Sequence, residues 1–285
     1  MKHFIIVIVL SFFNFYLCSM NVTKVNTFIE LIKNNPKELS EVKDLLLLEK
    51  VDAQDSNGKT MLFYAASDFL LDGGELDEYK TTLVKLLLDA GANPNLRDNN
   101  RDTPLHRAAL HTMVGQDKAD MVQMLLKAGA DANSKNSLQL TPLHVVFSGA
   151  HPPLSVLEAL LHYGADANAQ DEVGNTPLHY AVRAGFSTKI HGLMKILLEK
   201  GNGNPFIKNK RGETVFDVSN KADNTQITQL LKNYTQENRE GARKAWSRLL
   251  GYVTHTSEGY ATSGLPLPES IKTIIAGYTL PARQK

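Results

Sequence analysis

The chain has 285 residues, enough for one or two domains with a sizeable core, and its apolar (42%) and charged (21%) fractions are those of an ordinary soluble globular protein. Its net charge is only +1 and its lysines and arginines are scattered, which argues against nucleic acid as a partner, because nucleic-acid-binding domains usually carry a basic excess or stripe. The single cysteine, Cys18, leaves no basis for a disulfide framework, a cysteine-ligated zinc cluster or a thiol nucleophile.

The chain begins with an apolar run from Phe4 to Leu17 that contains few polar residues. A run of this length fits the core of a secretory signal peptide and is short for a membrane-spanning helix. We therefore predict a signal peptide over residues 1–19 and a secreted or extracytoplasmic location. The alternative is an uncleaved membrane anchor over residues 4–20. Lipidation at Cys18 is disfavoured, because the residues before it are large where lipoprotein signals have small ones.

A short string, Thr-Pro-Leu-His, recurs along the middle of the chain. A second string, which starts with Gly-Ala and ends in asparagine, recurs after apolar helical stretches. The full Thr-Pro-Leu-His copies begin at Thr103, Thr141 and Thr176, degenerate copies begin at Thr60 and Thr214, and the glycine strings begin at Gly91, Gly129 and Gly164. Self-similarity of this kind indicates a repeat architecture, in which each unit buries its apolar face against its neighbours.

The spacing between the strings is uneven in one interval and nearly constant in the other. From each threonine to the following glycine, the differences in sequence number are 91 − 60 = 31, 129 − 103 = 26, 164 − 141 = 23 and 201 − 176 = 25. From each glycine to the next threonine, they are 103 − 91 = 12, 141 − 129 = 12, 176 − 164 = 12 and 214 − 201 = 13. A connection that pairs with its neighbours cannot gain a residue without a register shift, whereas a loop on a free rim lengthens at little cost. The first interval is therefore predicted to hold two helices and a variable turn, and the second a hairpin.

The repeated residues suit the two ends of such helices. Threonine can cap the first helix through its hydroxyl, and proline follows at the first helical position, where no N–H is needed. The leucine of each string is expected to face the core. A glycine can end the second helix in a left-handed conformation. We expect that conformation at Gly91, Gly129, Gly164 and Gly201.

These strings resemble the ankyrin repeat, a family with a period of about 33 residues and a Thr-Pro-Leu-His signature. The resemblance covers residues 22–234 and implies a mainly α solenoid of stacked helix-turn-helix/β-hairpin units with terminal caps. The implied units are an N-terminal cap (22–56), repeats (57–99, 100–137, 138–172 and 173–210) and a C-terminal cap (211–234). The resemblance also implies that His106, His144 and His179 hydrogen-bond locally and link neighbouring repeats.

Two positions depart from the family's pattern. Arg101 and Gln139 stand where the family usually has glycine, which this chain keeps at Gly58, Gly174 and Gly212. We expect the two hairpins that lack glycine to be strained or differently turned.

The resemblance implies a non-enzymatic scaffold that binds a partner protein on a concave surface lined by first-helix residues and hairpin tips. The sequence has no glycine-rich phosphate loop, no hydrolase or zinc-protease motif and no metal-ligand spacing among its histidines, so we expect no catalytic residue, cofactor, metal or small-molecule substrate. We expect a monomer. The residues assigned to the binding surface are Arg97, Asp98, Arg101, Arg107, Leu110, His111, Lys135, Tyr180 and Arg183. For any one of them, the plainer interpretation is a solvated surface residue.

Residues 235–285 lie outside the repeats and are predicted to form a helical extension. An amphipathic helix over residues 242–253 is expected to cover the last repeat. A Leu-Pro-Leu-Pro segment that begins at Leu265 resembles the opening of an F-box. It supports an alternative function, a substrate adaptor that recruits a ubiquitin-ligase component through this extension. The simpler interpretation of the segment is a terminal helix begun by proline.

Overall fold

A computed structural model describes six ranges of the chain: residues 51–67, 77–110, 119–148, 152–184, 188–222 and 224–236. The predicted signal peptide, most of the predicted N-terminal cap and nearly all of the C-terminal extension lie outside these ranges. Within the ranges, no helix has both the length and the apolar content that a membrane crossing requires.

The helices come in pairs along the chain. The pairs are α1 (Met61–Ala65) with α2 (Asp77–Asp89), α3 (Pro104–Ala109) with α4 (Ala119–Lys127), α5 (Pro142–Val146) with α6 (Leu154–His162), and α7 (Pro177–Arg183) with α8 (Thr188–Glu199). A ninth helix, α9 (Val215–Lys221), precedes further helical residues at 225–236. One pair falls within each of the four predicted repeats.

The helices stack in two layers. Each first helix contacts the first helix of the next pair, from α1 through α3, α5 and α7 to α9, and the second helices α2, α4, α6 and α8 do the same. The motif leucines Leu105, Leu143 and Leu178 are fully buried between the layers. Because a single pair cannot bury its apolar face alone, burial is completed only by the neighbouring pair. The mainly α solenoid expected from the sequence is confirmed.

Tight turns join one pair to the next, and each is held by the side chain that opens it. In the turn that opens at Asp98, the N–H of Asp98 donates to the carbonyl of Asp102 at 2.9 Å. The Asp98 carboxylate accepts from the N–H groups of Asn100 and Asp102, each at 2.9 Å. The same pattern recurs in five turns, which we call the turn ridge: residues 55–59, 98–102, 136–140, 171–175 and 209–213. Apart from one isolated antiparallel bridge, Gln54 to Thr60, the described residues form no β-structure, so the expected hairpins are reduced to turns.

Backbone hydrogen bonds connect each turn to the next. The donor and acceptor pairs are Asn99 to Asn57 (2.8 Å), Ser137 to Asn100 (2.9 Å), Glu172 to Leu138 (3.1 Å) and Lys210 to Val173 (2.9 Å). The turn ridge is therefore continuous, since each turn is hydrogen-bonded to the next.

The motif histidines join neighbouring repeats, as the resemblance implied. Nδ1 of His144 accepts the N–H of Thr141 at 3.1 Å, which places the proton on Nε2. Nε2 lies 3.1 Å from the carbonyl oxygen of Asn175 in the following turn and donates to it. His106 and His179 make the equivalent contacts. Burial disfavours the charged ring and so lowers the pKa of all three histidines, that of His144 to about 4. The fold therefore holds these rings in the neutral form.

The expected left-handed glycines are found at three of the four positions. Gly91, Gly129 and Gly164 have φ angles of 87°, 89° and 82°, but at the fourth helix end the left-handed residue is Asn202 (φ 51°), so the prediction for Gly201 was wrong. A Cβ on Gly201 would lie 2.7 Å from the carbonyl oxygen of Leu197, so this glycine permits a close backbone approach instead.

The left-handed residue that follows α8 thus comes one position later than expected. The contacts made by that residue move by one position as well. The carbonyl of Asn202 accepts from the side chain of Asn168 at 3.0 Å, as that of Gly164 accepts from Asn133 at 2.9 Å. Counted from Asn202, the difference in sequence number to Thr214 is 214 − 202 = 12, which equals that of the other three connections. All four connections from a left-handed residue to the next motif threonine therefore have the same length. The reason is the one expected from the sequence: each turn bonds to its neighbours, so an added residue would shift the register.

Candidate partner-binding surface

One residue of each first helix directly follows the histidine position. We call this set the first-helix row: Tyr64, Arg107, Val145, Tyr180 and Val218. The phenol of Tyr180 donates to Oδ2 of Asp171 at 2.8 Å, and that of Tyr64 donates to Oδ2 of Asp55 at 2.7 Å. Burial and these carboxylates raise the pKa of both tyrosines, so both stay neutral donors. Each ring is thereby fixed against the turn of its own repeat.

The predicted turn residues have unequal access to solvent. Arg97 and Arg101 are exposed. Lys135 is half-buried, and its ammonium donates to the backbone carbonyl of Gln170 at 3.0 Å. Asp98, expected at an exposed tip, is only 7% exposed, because its carboxylate is turned inward to hold the turn. This burial does not support the assignment of Asp98 to the binding surface, and it raises the pKa of the carboxyl.

The predicted residues on the first helices also differ in their exposure to solvent. The guanidinium of Arg107 lies 5.8 Å from the ring centre of Phe63 in the preceding repeat, and its Nε is buried without a hydrogen-bond partner. Arg183 is exposed at the end of α7, and Leu110 is half-buried just after α3. His111 lies outside the described residues. The structure thus places Arg97, Arg101 and Lys135 along the turns and Arg107, Tyr180 and Arg183 along the first helices.

Two exposed aliphatic side chains on the turn ridge were not predicted from the sequence. Leu138 is 51% exposed and Val173 is 48% exposed, in the third position of adjacent turns. The same position holds Asn57, Asn100 and Arg211 in the other turns. Polar residues and glycine dominate turns for conformational reasons, so exposed aliphatic residues there are unusual. An alignment of the five turns would have revealed them.

The strained backbone anticipated at the two hairpins without glycine is present. Arg101 has a φ of 62° and Gln139 a φ of 59°, the left-handed region that glycine occupies at the equivalent Gly58, Gly174 and Gly212. A left-handed conformation costs a residue with a Cβ about 1 kcal/mol or more.

We expect Arg101→Gly to raise the free energy of unfolding by about 1 kcal/mol, because glycine adopts this conformation without strain. Urea denaturation followed by circular dichroism measures the change. Arg101→Ala is the matched control: it removes the same side chain but keeps the Cβ, so it should leave stability nearly unchanged. Equal stabilisation by both substitutions would show that the arginine side chain, rather than the backbone conformation, is the source of strain.

The second-helix layer offers no comparable arrangement among the residues that the structure describes. Its open cavity of about 700 Å³ is lined by residues of α4 and α6 and their neighbours, including Lys127, Glu158 and Lys200. The Lys200 ammonium and the Glu158 carboxylate lie 2.7 Å apart, so they already satisfy each other. Within the described ranges, no cluster of three or more histidine, cysteine or acidic residues is placed to hold a metal ion.

Comparison with known families accounts for this architecture. A family model described as "Ankyrin repeats (3 copies)" matches the chain in overlapping segments at residues 29–136, 75–171, 110–202 and 143–243. No curated protein sequence matches the chain. The matched segments together span residues 29–243, well over half of the 285 residues, and include every helix pair. The chain belongs to the ankyrin repeat family.

Proposed function

We propose that this protein is a non-enzymatic scaffold that binds a partner protein with its turn ridge and first-helix row. Ankyrin repeats generally mediate protein–protein interaction. The supporting observation is a separation of residues by role. Residues that recur in every full repeat, such as Thr141 and His144, are buried and hold the fold together. The residues that differ between repeats include the third position of each turn, such as Asn100, Leu138 and Val173, and the first-helix row.

Two half-buried members of the first-helix row, Arg107 and Tyr180, are of the residue types that dominate protein interfaces. Tyrosine and arginine are enriched at binding hot spots, and an oriented side chain loses less entropy on binding. Tyr180 is fixed by Asp171 and packs edge-to-face on His144 with ring centres 5.4 Å apart. Arg107 is held over Phe63. Both are half-buried, so each offers a pre-oriented surface to a partner.

Affinity purification with the tagged chain tests this proposal. The test variant is Arg107→Ala/Tyr180→Ala/Arg183→Ala on the first helices, and the matched control is Lys127→Ala/Lys195→Ala on the second helices. We expect a protein that is retained by the wild type and the control and lost by the test variant. A protein retained equally by all three would contradict the proposed site, provided that circular dichroism shows all three to be folded.

We further propose that the protein is exported and acts outside the cytoplasm, on the strength of the apolar run from Phe4 to Leu17. N-terminal sequencing of the protein secreted by its source cells is expected to show cleavage after residue 19. Retention in the membrane fraction with an intact N-terminus would instead support an anchor over residues 4–20. The ubiquitin-ligase adaptor stays a hypothesis that rests on residues 235–285.

A further inference from the structure

The first two turns of the ridge lie beside four cations that form no ion pair with the described residues, although the charge of Lys59 acts on the buried Asp98 carboxylate. The Lys59 ammonium lies 5.5 Å from the ring centre of Phe63 and 5.6 Å from that of Tyr64, and the Arg107 guanidinium lies 5.8 Å from the same Phe63 ring. Arg101 is exposed on the next turn, and Arg97 is exposed just before it. Among the described residues, no carboxylate lies within ion-pairing distance of these four cations. Two of them lie against aromatic rings, whose faces hold a cation in place.

The middle of the turn ridge is aliphatic rather than charged. Leu138 and Val173 are about half exposed, and their turns are joined by the hydrogen bond from the Glu172 N–H to the Leu138 carbonyl, at 3.1 Å. Val145 of the first-helix row lies in the same repeat as Leu138 and is buried. These two exposed aliphatic side chains on an otherwise polar edge are available for contact with another apolar surface.

Arg101 keeps a left-handed backbone at a turn position where three other turns have glycine. Glycine serves the same turn position at Gly58, Gly174 and Gly212, and would relieve the left-handed backbone at residue 101. Strained backbone that persists where a relaxed alternative exists is often found at functional sites. Arg101 also adjoins both parts of the ridge, since its turn precedes the one that contains Leu138.

We propose that the turn ridge binds an extended segment of a partner protein that carries acidic residues at one end and aliphatic residues at the other. The acidic end lies over Lys59, Arg97, Arg101 and Arg107, and the aliphatic end lies over Leu138 and Val173. This proposal rests on the proposed protein-binding function. Carboxylates complement cations that form no ion pair within the fold, while the aliphatic contact favours a protein over the phosphates of a nucleic acid.

A displayed library of random peptides, selected on the tagged chain, tests the proposal. Two test variants divide the ridge: Arg97→Glu/Arg101→Glu reverses its charge, and Leu138→Ser/Val173→Ser removes its aliphatic part. The control, Lys127→Glu/Lys195→Glu, makes the same charge change on the second helices. We expect the selected peptides to be enriched in Asp and Glu at one end and in Leu, Ile and Val at the other. Each test variant should weaken their binding at least about tenfold, and the control should not.

The salt dependence of peptide binding distinguishes the contribution of the cations from that of Leu138 and Val173. Raising the salt concentration should weaken the peptides on the wild type and on Leu138→Ser/Val173→Ser, and should matter much less on Arg97→Glu/Arg101→Glu. Selected peptides without acidic enrichment, or with equal affinity for all variants, would overturn the proposal. Failure to select any peptide would also overturn it. None of these outcomes contradicts the proposed scaffold function. That function is contradicted only if affinity purification yields no partner whose binding depends on Arg107, Tyr180 and Arg183.

Discussion

Acidification is expected to unfold this protein through its motif histidines. The pKa of His144 falls from 6.5 in an unfolded chain to about 4 in the fold, because burial disfavours the charged ring. As the pH drops below 6.5, the unfolded chain therefore binds a proton that the folded chain does not. Stability is fully present above pH 6.5 and is lost progressively down to about pH 4. For His144 alone, the loss amounts to about 3 kcal/mol.

The structure shows why protonation is unfavourable. A charged imidazole carries a proton on Nδ1 as well, so it can no longer accept the N–H of Thr141. The ring of His144 is fully buried and cannot turn to water. Burial also lowers the pKa values of His106 and His179, so they add to the loss in the same direction.

Urea denaturation between neutral and acidic pH measures this loss, and a His144→Gln variant isolates it, because glutamine keeps hydrogen-bonding groups but does not titrate. We expect His144→Gln to be less stable than the wild type at neutral pH and to lose less stability on acidification. The carboxylates titrate in both proteins, so the difference between the two curves belongs to His144. Parallel curves would show that His144 is not held neutral by the fold.

The sequence predicted the fold largely because each repeated residue has a local role. Threonine caps and proline begins the first helix, leucine faces the core, and histidine bonds the following turn, so the strings imply the helix pairs without knowledge of their packing. The end of α8 could not be settled in this way. Gly201 and Gly203 flank Asn202, and any of these residue types can adopt a left-handed φ. The choice depends on the length of α8 and on the contact from Asn168, which only the stacked structure contains.

The binding surface was less predictable, because exposure depends on where a polar side chain turns. Asp98 was assigned to the binding surface, yet its side chain holds its own turn together, a role shared by Asp55, Asn136, Asp171 and Asn209. The recurrence of aspartate or asparagine at this position was visible in the sequence. The approach of Arg107 to Phe63 was not, because the two residues belong to different repeats and meet only through stacking.

Gly174→Ala is expected to destabilise the protein more than its backbone conformation alone would predict. A Cβ on Gly174 would lie 2.8 Å from the backbone nitrogen of Lys210 and 3.1 Å from Cα of Asn209, both in the next turn. Backbone atoms cannot move aside singly, so the turn at residues 209–213 must shift away. That shift would break the hydrogen bond from the Lys210 N–H to the Val173 carbonyl, 2.9 Å long, and loosen the contact of His179 with Glu213.

A matched glycine separates the steric effect from the conformational one. Gly212 has nearly the same φ as Gly174, 76° against 80°, but a Cβ there would meet no atom within 4 Å. Gly212→Ala should therefore lower the free energy of unfolding by about 1 kcal/mol, the cost of a left-handed alanine, and Gly174→Ala by about 2 to 4 kcal/mol. Because stacked repeats are stabilised mainly by their neighbours, the damage of Gly174→Ala should be concentrated in α9 and the turn before it. Hydrogen exchange should then speed up at the Lys210 amide in Gly174→Ala and change little there in Gly212→Ala. Equal losses of stability in the two variants would mean that the turns can separate freely, and that the continuous turn ridge does not couple one repeat to the next.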